Sequence, residues 1–274
     1  IPSASYEQMH SGSMLKVEYI DFASRILNYM NTNKQAPPYG LTGLGKVSFH
    51  SQVYIYSQAI DYYKNHLQLP DDIYVKSWKS ITLLGTTDYG EVVKIGPYGN
   101  LMSPVKIAYI VGVHPIEQAS HQAMMEAINN NDNSLKYCYY IYKITVTRDA
   151  GNYEQGRMNG QLLANKFVVP DIINQKYKLA IDIHSNVGNW AYTRFVFSPI
   201  SGTSSESFAR TIKNGISWLT YFSPPSQTSP SYVTVPLIQS GIPAILYETY
   251  TYEDYGTTKT HANEFALKVD NISY

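Results

Sequence analysis

The sequence predicts an α/β protein: a three-layer α/β/α domain with a mixed central sheet over residues 76–274, preceded by a small helical hairpin within residues 1–75. Three observations predict it. From about residue 76 onward, apolar runs of strand length alternate with stretches of helical periodicity, the pattern of helices packed on a sheet. One run, Val105 to Val113, is almost continuously apolar, as in a strand buried on both faces. Three runs end in polar groups: His114-Pro115-Ile116-Glu117, Asp182-Ile183-His184 and Leu246-Tyr247-Glu248. Open α/β sheets bind ligands at such carboxyl ends of strands.

In chain order, apolar residues recur at three- and four-residue spacing from Val17 to Met30, which predicts a helix ended by Asn31 and Asn33. Pro37-Pro38-Tyr39-Gly40 reads as a loop. Ser51 can cap a second helix running through Val53, Tyr54, Tyr56 and Ile60 to about Tyr63, and Leu69-Pro70-Asp71-Asp72 breaks it. Such a hairpin is too small to hold an enzyme core. Ile81–Leu84 and Glu91–Ile95 follow as strands, with Gly96-Pro97-Tyr98-Gly99-Asn100 as a turn. After the buried strand come a helix over 117–129, a strand over 139–146, a helix over 158–167 and a short strand over 179–183. A strand over 194–198, a helix over 206–219, a strand over 244–247 and a helix over 258–269 complete the order. No internal repeat or low-complexity tract interrupts it.

Composition narrows the function. Formal net charge is zero, so nothing in it suggests a nucleic-acid footprint or a basic membrane-binding face. No apolar run approaches the roughly 18 residues of a transmembrane helix. The single cysteine, Cys138, excludes an internal disulfide and a Cys-rich zinc site, and is expected to be a buried thiol within a strand. Tyrosine is abundant, 26 residues, on a chain only 15% charged. Polar-tipped aromatics suit contact with sugars or a polymer wall, and equally suit packing. The chain opens on Ile1-Pro2, so it is expected to be a trimmed fragment whose lack of a leader says nothing about secretion.

Two imidazoles and a carboxylate can hold a zinc ion with one position left open, and a further glutamate can take a proton from water there. His-x-x-Glu occurs twice. His114 and Glu117 flank a strand-to-helix turn, whereas His261 and Glu264 fall inside a terminal helix and read as its solvated face. His121, four residues beyond Glu117, is a conceivable substitute ligand.

These residues resemble the zinc carboxypeptidase superfamily, which includes the aspartoacylase-like deacylases. Gly112-Val113-His114-Pro115-Ile116-Glu117 is similar to its first zinc motif, and Ala180-Ile181-Asp182-Ile183-His184-Ser185 to its second. The segment from Gly241 to Glu248 resembles the one ending in the catalytic glutamate. The resemblance implies one zinc ion on His114, Glu117 and His184, with Glu248 as general base and then general acid. It also implies that Arg157 polarises the scissile carbonyl. Arg157 to Phe167 resembles the substrate-binding segment: Asn165 matches an asparagine, while Lys166 replaces an arginine that pairs with a terminal carboxylate. One point charge then stands where a bidentate fork is usual. Leu163 replaces an aspartate that supports a zinc-bound histidine. Tyr232 lies upstream of Glu248 as the superfamily's mobile tyrosine does, at a different spacing.

Residues 23–60 resemble a second family. Ala23-x-x-Ile26-x-x-Tyr29-Met30-x-x-Asn33, then Pro37-x-Tyr39, Gly45-Lys46-Val47 and Tyr54-x-Tyr56-x-x-Ala59-Ile60, are similar to one pseudomurein-binding repeat. Such repeats occur in surface proteins and wall-lytic enzymes of methanogenic archaea and their viruses. Together the resemblances imply a secreted or wall-associated peptidase acting on peptide stems or crosslinks of pseudomurein. Two alternatives stay open: an aspartoacylase-like deacylase of a small molecule, and a non-catalytic wall-binding protein. The hairpin itself could instead pack on the enzyme core.

Overall fold

A computed structural model describes residues 7–77, 79–226 and 228–274. The chain divides into two compact units, Ile1–Ser80 and Ile81–Tyr274.

In the first unit, β1 (Gln8–Met9) and β2 (Gly12–Leu15) precede α1 (Lys16–Asn33). β3 (Tyr39–Thr42) and β4 (Gly45–Ser48) precede α2 (Phe49–His66), and β5 (Asp72–Val75) follows. Glu18 Oε2 accepts from the Leu15 amide at 2.7 Å, tying down the start of α1. Lys34 and Leu67 end the two helices in the left-handed region, with φ of 56° and 58°. The cap of α2 is Ser48, not Ser51: Ser48 has extended backbone and its hydroxyl accepts from the Ser51 amide. Tyr19 and Phe22 of α1 meet Ile55 and Ala59 of α2 over Met14, Val47, Ile73 and Val75. The five strands are a difference from the helical hairpin expected. They form antiparallel sheets ordered β1-β4-β3 and β2-β5, and none exceeds four residues, too short for a period-two pattern to show.

The second unit is a three-layer α/β/α domain. β6 (Ser80–Thr87), β7 (Gly90–Gly99) and β8 (Lys106–Val111) lead to α3 (Gln118–Asn130), β9 (Cys138–Val146) and α4 (Tyr153–Leu163). A π-helical turn at Ala164–Val168 continues into α5 (Val169–Gln175). Next come β10 (Leu179–Asn186), β11 (Phe195–Phe197), α6 (Ser204–Asn214) and β12 (Thr220–Tyr221). The short helices α7 (Ser229–Tyr232) and α8 (Thr234–Gln239), then β13 (Ala244–Tyr250) and α9 (Tyr255–Asp270), complete the chain. The eight-stranded sheet has order β12-β11-β13-β10-β8-β9-β7-β6. It is mixed: β13, β10, β8 and β9 run parallel, while β7 and β11 pair antiparallel to β9 and β13.

The apolar run of β8 buries both faces. Ile107, Tyr109 and Val111 join α3 and α9 through Met124, Ile128, Phe265 and Val269. Ala108 and Ile110, with Val113 beyond the strand, join the other layer through Leu163, Val168, Ile172 and Leu237. Helix α6 stops at Asn214, before the predicted end, because Gly215 terminates it, yet Ile216 and Leu219 remain buried and so prolong the apolar pattern that suggests a longer helix. Cys138 is buried. Phe265 stacks on Tyr247 with ring centroids 4.0 Å apart and is fully buried. Phe265→Ala is expected to cost about 3–5 kcal/mol in denaturant unfolding; a loss below about 1 kcal/mol would mean that the α9 layer repacks without it.

Candidate metal centre

The three central strands β13, β10 and β8 are adjacent and parallel, so their carboxyl ends share one edge of the sheet. Beyond β8, Gly112 takes φ +91° at a point where a Cβ would run into the Ile144 carbonyl. Helix α4 presses against the same turn, since a Cβ at Gly160 would meet the Val113 carbonyl. The Glu117 amide donates to the His114 carbonyl at 3.1 Å, closing a turn that folds the two side chains toward each other. On the neighbouring strands His184 and Glu248 are direct partners in register.

His114 Nδ1 lies 2.9 Å from Glu117 Oε1, and His184 Nδ1 lies 2.9 Å from His114 Nδ1 and 3.0 Å from Glu117 Oε2. All three side chains are buried, and their potential ligand atoms fall within 4.8 Å of one another. Ligands about 2.0–2.1 Å from a tetrahedral zinc sit roughly 3.3 Å apart, and two imidazole nitrogens with one carboxylate are a donor set of catalytic zinc. The residues fit a metal ion on both counts.

The surrounding groups fix this geometry. Glu117 also accepts from Arg157 at 2.9 Å and from the Ser185 amide at 2.9 Å. Asp182, two residues before His184 on the same strand face, places Oδ2 2.9 Å from His184 Nε2. The approach is off the line of a regular hydrogen bond, and neither Asp182 oxygen has another partner. A buried carboxylate in that position needs the imidazole's proton. Burial opposes charge on His184, but Asp182 and Glu117 outweigh it and hold its pKa well above the usual range. Burial lowers His114 to about 4 despite Glu117, so its ring is neutral at pH 7. Burial would raise Glu117, but His114 and His184 prevail and hold it well below the carboxylate range.

A cleft of about 480 Å³ opens over these groups, walled by Tyr153, Arg157, Asn186, Trp190, Thr228 and Glu248 among others. Glu248 Oε2 accepts from Asn186 Nδ2 at 3.3 Å, and Asn186 is itself held by the Thr193 and Thr249 carbonyls. Burial pushes Glu248 up to about 8, with His184 opposing and Glu117 adding to the rise. A group whose folded pKa is raised stabilises the fold below its unfolded value of about 4.5 and loses that contribution as pH rises through 8. In protein stripped of divalent cations, Glu248→Gln is therefore expected to hold its melting temperature better than wild type between pH 5 and 8.5. Parallel declines would show that Glu248 titrates normally.

Of the residues singled out in the sequence, the structure brings together His114, Glu117, His184, Glu248 and Arg157. It does not bring Asn165, Lys166 or Tyr232 to the cleft. Asn165 and Lys166 are exposed on the π-helical turn, where Asn165 donates to the Tyr232 carbonyl at 2.8 Å and the Lys166 ammonium lies 5.2 Å from the Phe167 ring. Helix α4 instead shows the cleft Arg157 and, four residues on, Gln161 faces His114. Leu163 is buried in the apolar layer. His121 is no substitute ligand, because its Nε2 is spent on the Ile183 carbonyl at 3.1 Å. His261 is not simply solvated: it stacks on Trp218, whose indole donates to Glu264. Gln161, Asn186 and the role of Asp182 are not found from the sequence motifs. Asp182-x-His184 on a strand and Arg157-x-x-x-Gln161 on a helix are same-face spacings that point to two of them.

No protein-family model matches the chain, and no curated protein matches it. Solved structures do overlap it. A metallo-carboxypeptidase from Pseudomonas aeruginosa, in complex with (2-guanidinoethylmercapto)succinic acid, is 11% identical with a TM-score of 0.48, over 86% of this chain and 76% of that one. A candidate metallopeptidase from Shewanella denitrificans is 13% identical with a TM-score of 0.46, over 86% and 96%. A succinylglutamate desuccinylase/aspartoacylase from Rhodobacter sphaeroides is 11% identical with a TM-score of 0.45, over 66% and 57%. No helix among the described residues is long and apolar enough to cross a membrane.

Proposed function

We propose that the chain is a zinc-dependent peptidase of the metallocarboxypeptidase type, acting on peptide stems or crosslinks of pseudomurein outside the cell. One observation carries the hydrolase reading: His114, the Glu117 carboxylate and His184 converge beside a fourth buried acid, Glu248, in one cleft. When bound there by His114, Glu117 and His184, zinc supplies a Lewis acid that acidifies water and polarises an amide carbonyl. Glu248 takes a proton from the attacking water and returns it to the departing amine. Asn186 orients the Glu248 carboxylate for both transfers. Arg157, anchored on Glu117 and lying 4.9 Å from the Tyr153 ring, sets positive charge against the oxyanion that develops on the carbonyl.

The wall substrate is supported by the repeat-like pattern over residues 23–60 and by exposed tyrosines of the first unit, Tyr39, Tyr54, Tyr63 and Tyr74. A second reading, an aspartoacylase-like deacylase, would use the same His114, Glu117, His184 and Glu248. The side chain matched to a terminal-carboxylate clamp, Lys166, lies off the cleft, and Arg157 is the only arginine or lysine among the described residues lining it, so a free carboxylate in either substrate class has only Arg157 to meet there. Incubating zinc-loaded protein with purified pseudomurein peptides and, separately, with N-acyl amino acids tests both. New amino groups from the wall peptides support the peptidase. Turnover of N-acyl amino acids alone assigns the deacylase, and no turnover of either overturns both.

Tethering adds effective concentration at an insoluble substrate. Residues 81–274 alone are thus expected to lose about 10²–10⁴-fold in activity on intact walls, the usual range of avidity effects, while soluble peptides are cut at nearly the full-chain rate. Equal loss on both substrates, with a lowered melting temperature, would make the first unit part of the enzyme's fold.

A further inference from the structure

Gln161 is buried at 2% exposure, and its amide nitrogen lies 3.2 Å from His114 Nε2 and 3.3 Å from Thr228 Oγ1. Its Oε1 is buried with no partner, so nothing pins the amide in one sense. His114 turns its other nitrogen, Nδ1, onto Glu117 and His184. With Nδ1 protonated toward the Glu117 carboxylate, Nε2 is a lone pair and needs a donor. With the Nδ1 lone pair given to a metal ion, Nε2 carries the proton and needs an acceptor. An amide offers one of each, exchanged by a half turn about its terminal bond, and the Thr228 hydroxyl can donate or accept to match. A carboxylate could serve only the second state.

We infer that Gln161 is the positioning residue of His114, an uncharged partner whose amide turns over to serve both ring tautomers, so that the ring is held before and after an ion binds. This rests on the metal-centre reading of His114, Glu117 and His184. The imidazole stays neutral throughout: one N–H breaks at Nδ1, one forms at Nε2, and water carries the proton. Leu163, one face round the helix, is buried among apolar side chains and cannot do this.

The test uses the full chain, with zinc affinity measured by chelator competition and His114 protonation read by ¹⁵N NMR. Gln161→Leu is expected to bind zinc about 10–100-fold more weakly, the usual effect of losing a partner behind a ligand. Gln161→Glu is expected to bind zinc at least as tightly as wild type, to show the Nε2–H form with and without zinc, and to melt lower than wild type when stripped of zinc. Wild type is expected to change from Nδ1–H to Nε2–H on loading. Gln161→Met, close in length, replaces the Leu variant if the latter does not fold. Zinc affinities within about threefold of wild type in all variants, or one tautomer in wild type throughout, overturn the role of Gln161. His114→Ala is measured alongside. Undiminished zinc binding there overturns the metal-centre reading itself, whereas lost binding with unchanged Gln161 variants overturns only this inference.

Discussion

Glu248→Gln is expected to fold, to retain zinc, and to lose about 10²–10⁴-fold in turnover, the usual contribution of a positioned general acid–base group. The substitution keeps shape and a hydrogen-bonding oxygen but removes the proton acceptor. Zinc should remain because Glu248 lies outside the group of converging ligand atoms, which His114, Glu117 and His184 complete by themselves. The base must be ionised to act, and in the absence of an ion burial, partly offset by His184, leaves it up at about 8. A bound dication lowers that value, since it is the largest local charge in such a site. The wild-type protein's activity should accordingly rise with pH through a midpoint below 8. Turnover of wall peptides by the glutamine variant at the wild-type rate would require another base and end this account of the cleft.

The division between what is legible in the residues and what is not has physical causes. Val105 to Val113 announces a strand buried on both faces because nearly every position is apolar, and the structure sends Tyr109 and Ile110 into opposite layers. His114, His184 and Glu248 are visible because each puts a titratable side chain at the end of an apolar run, where a buried strand leaves the sheet. Their convergence needs the strand order β13-β10-β8, which no local pattern encodes. The short strands of the first unit are invisible because two to four residues carry no period. Asn165 and Lys166 match by sequence neighbourhood, but direction decides contact: on the π-helical turn they face solvent, while Gln161, one turn earlier, faces the histidine. A linear motif fixes which residue types are present and leaves open which way a helix turns them.

His184→Ala is expected to abolish stoichiometric zinc and also to destabilise the zinc-free protein, whereas His114→Ala should do mainly the first. Both remove an imidazole whose Nδ1 points at the convergence of ligands, and two remaining ligands hold zinc poorly. The difference lies behind the rings. His114 is backed by the neutral Gln161 amide, which its removal leaves uncharged. His184 is backed by Asp182, fully buried with no other partner for either oxygen. Removing one member of a buried charge pair typically costs about 3–5 kcal/mol because the other is left uncompensated. Most of that loss should be recovered in the double variant Asp182→Asn/His184→Ala, which no longer buries a lone carboxylate, while zinc stays absent. Elemental analysis of all three proteins, with thermal melts of chelator-treated samples, measures both effects. Full zinc content in both single variants would remove the metal centre, and equal stabilities for His184→Ala and the double variant would show that Asp182 never depended on the His184 proton.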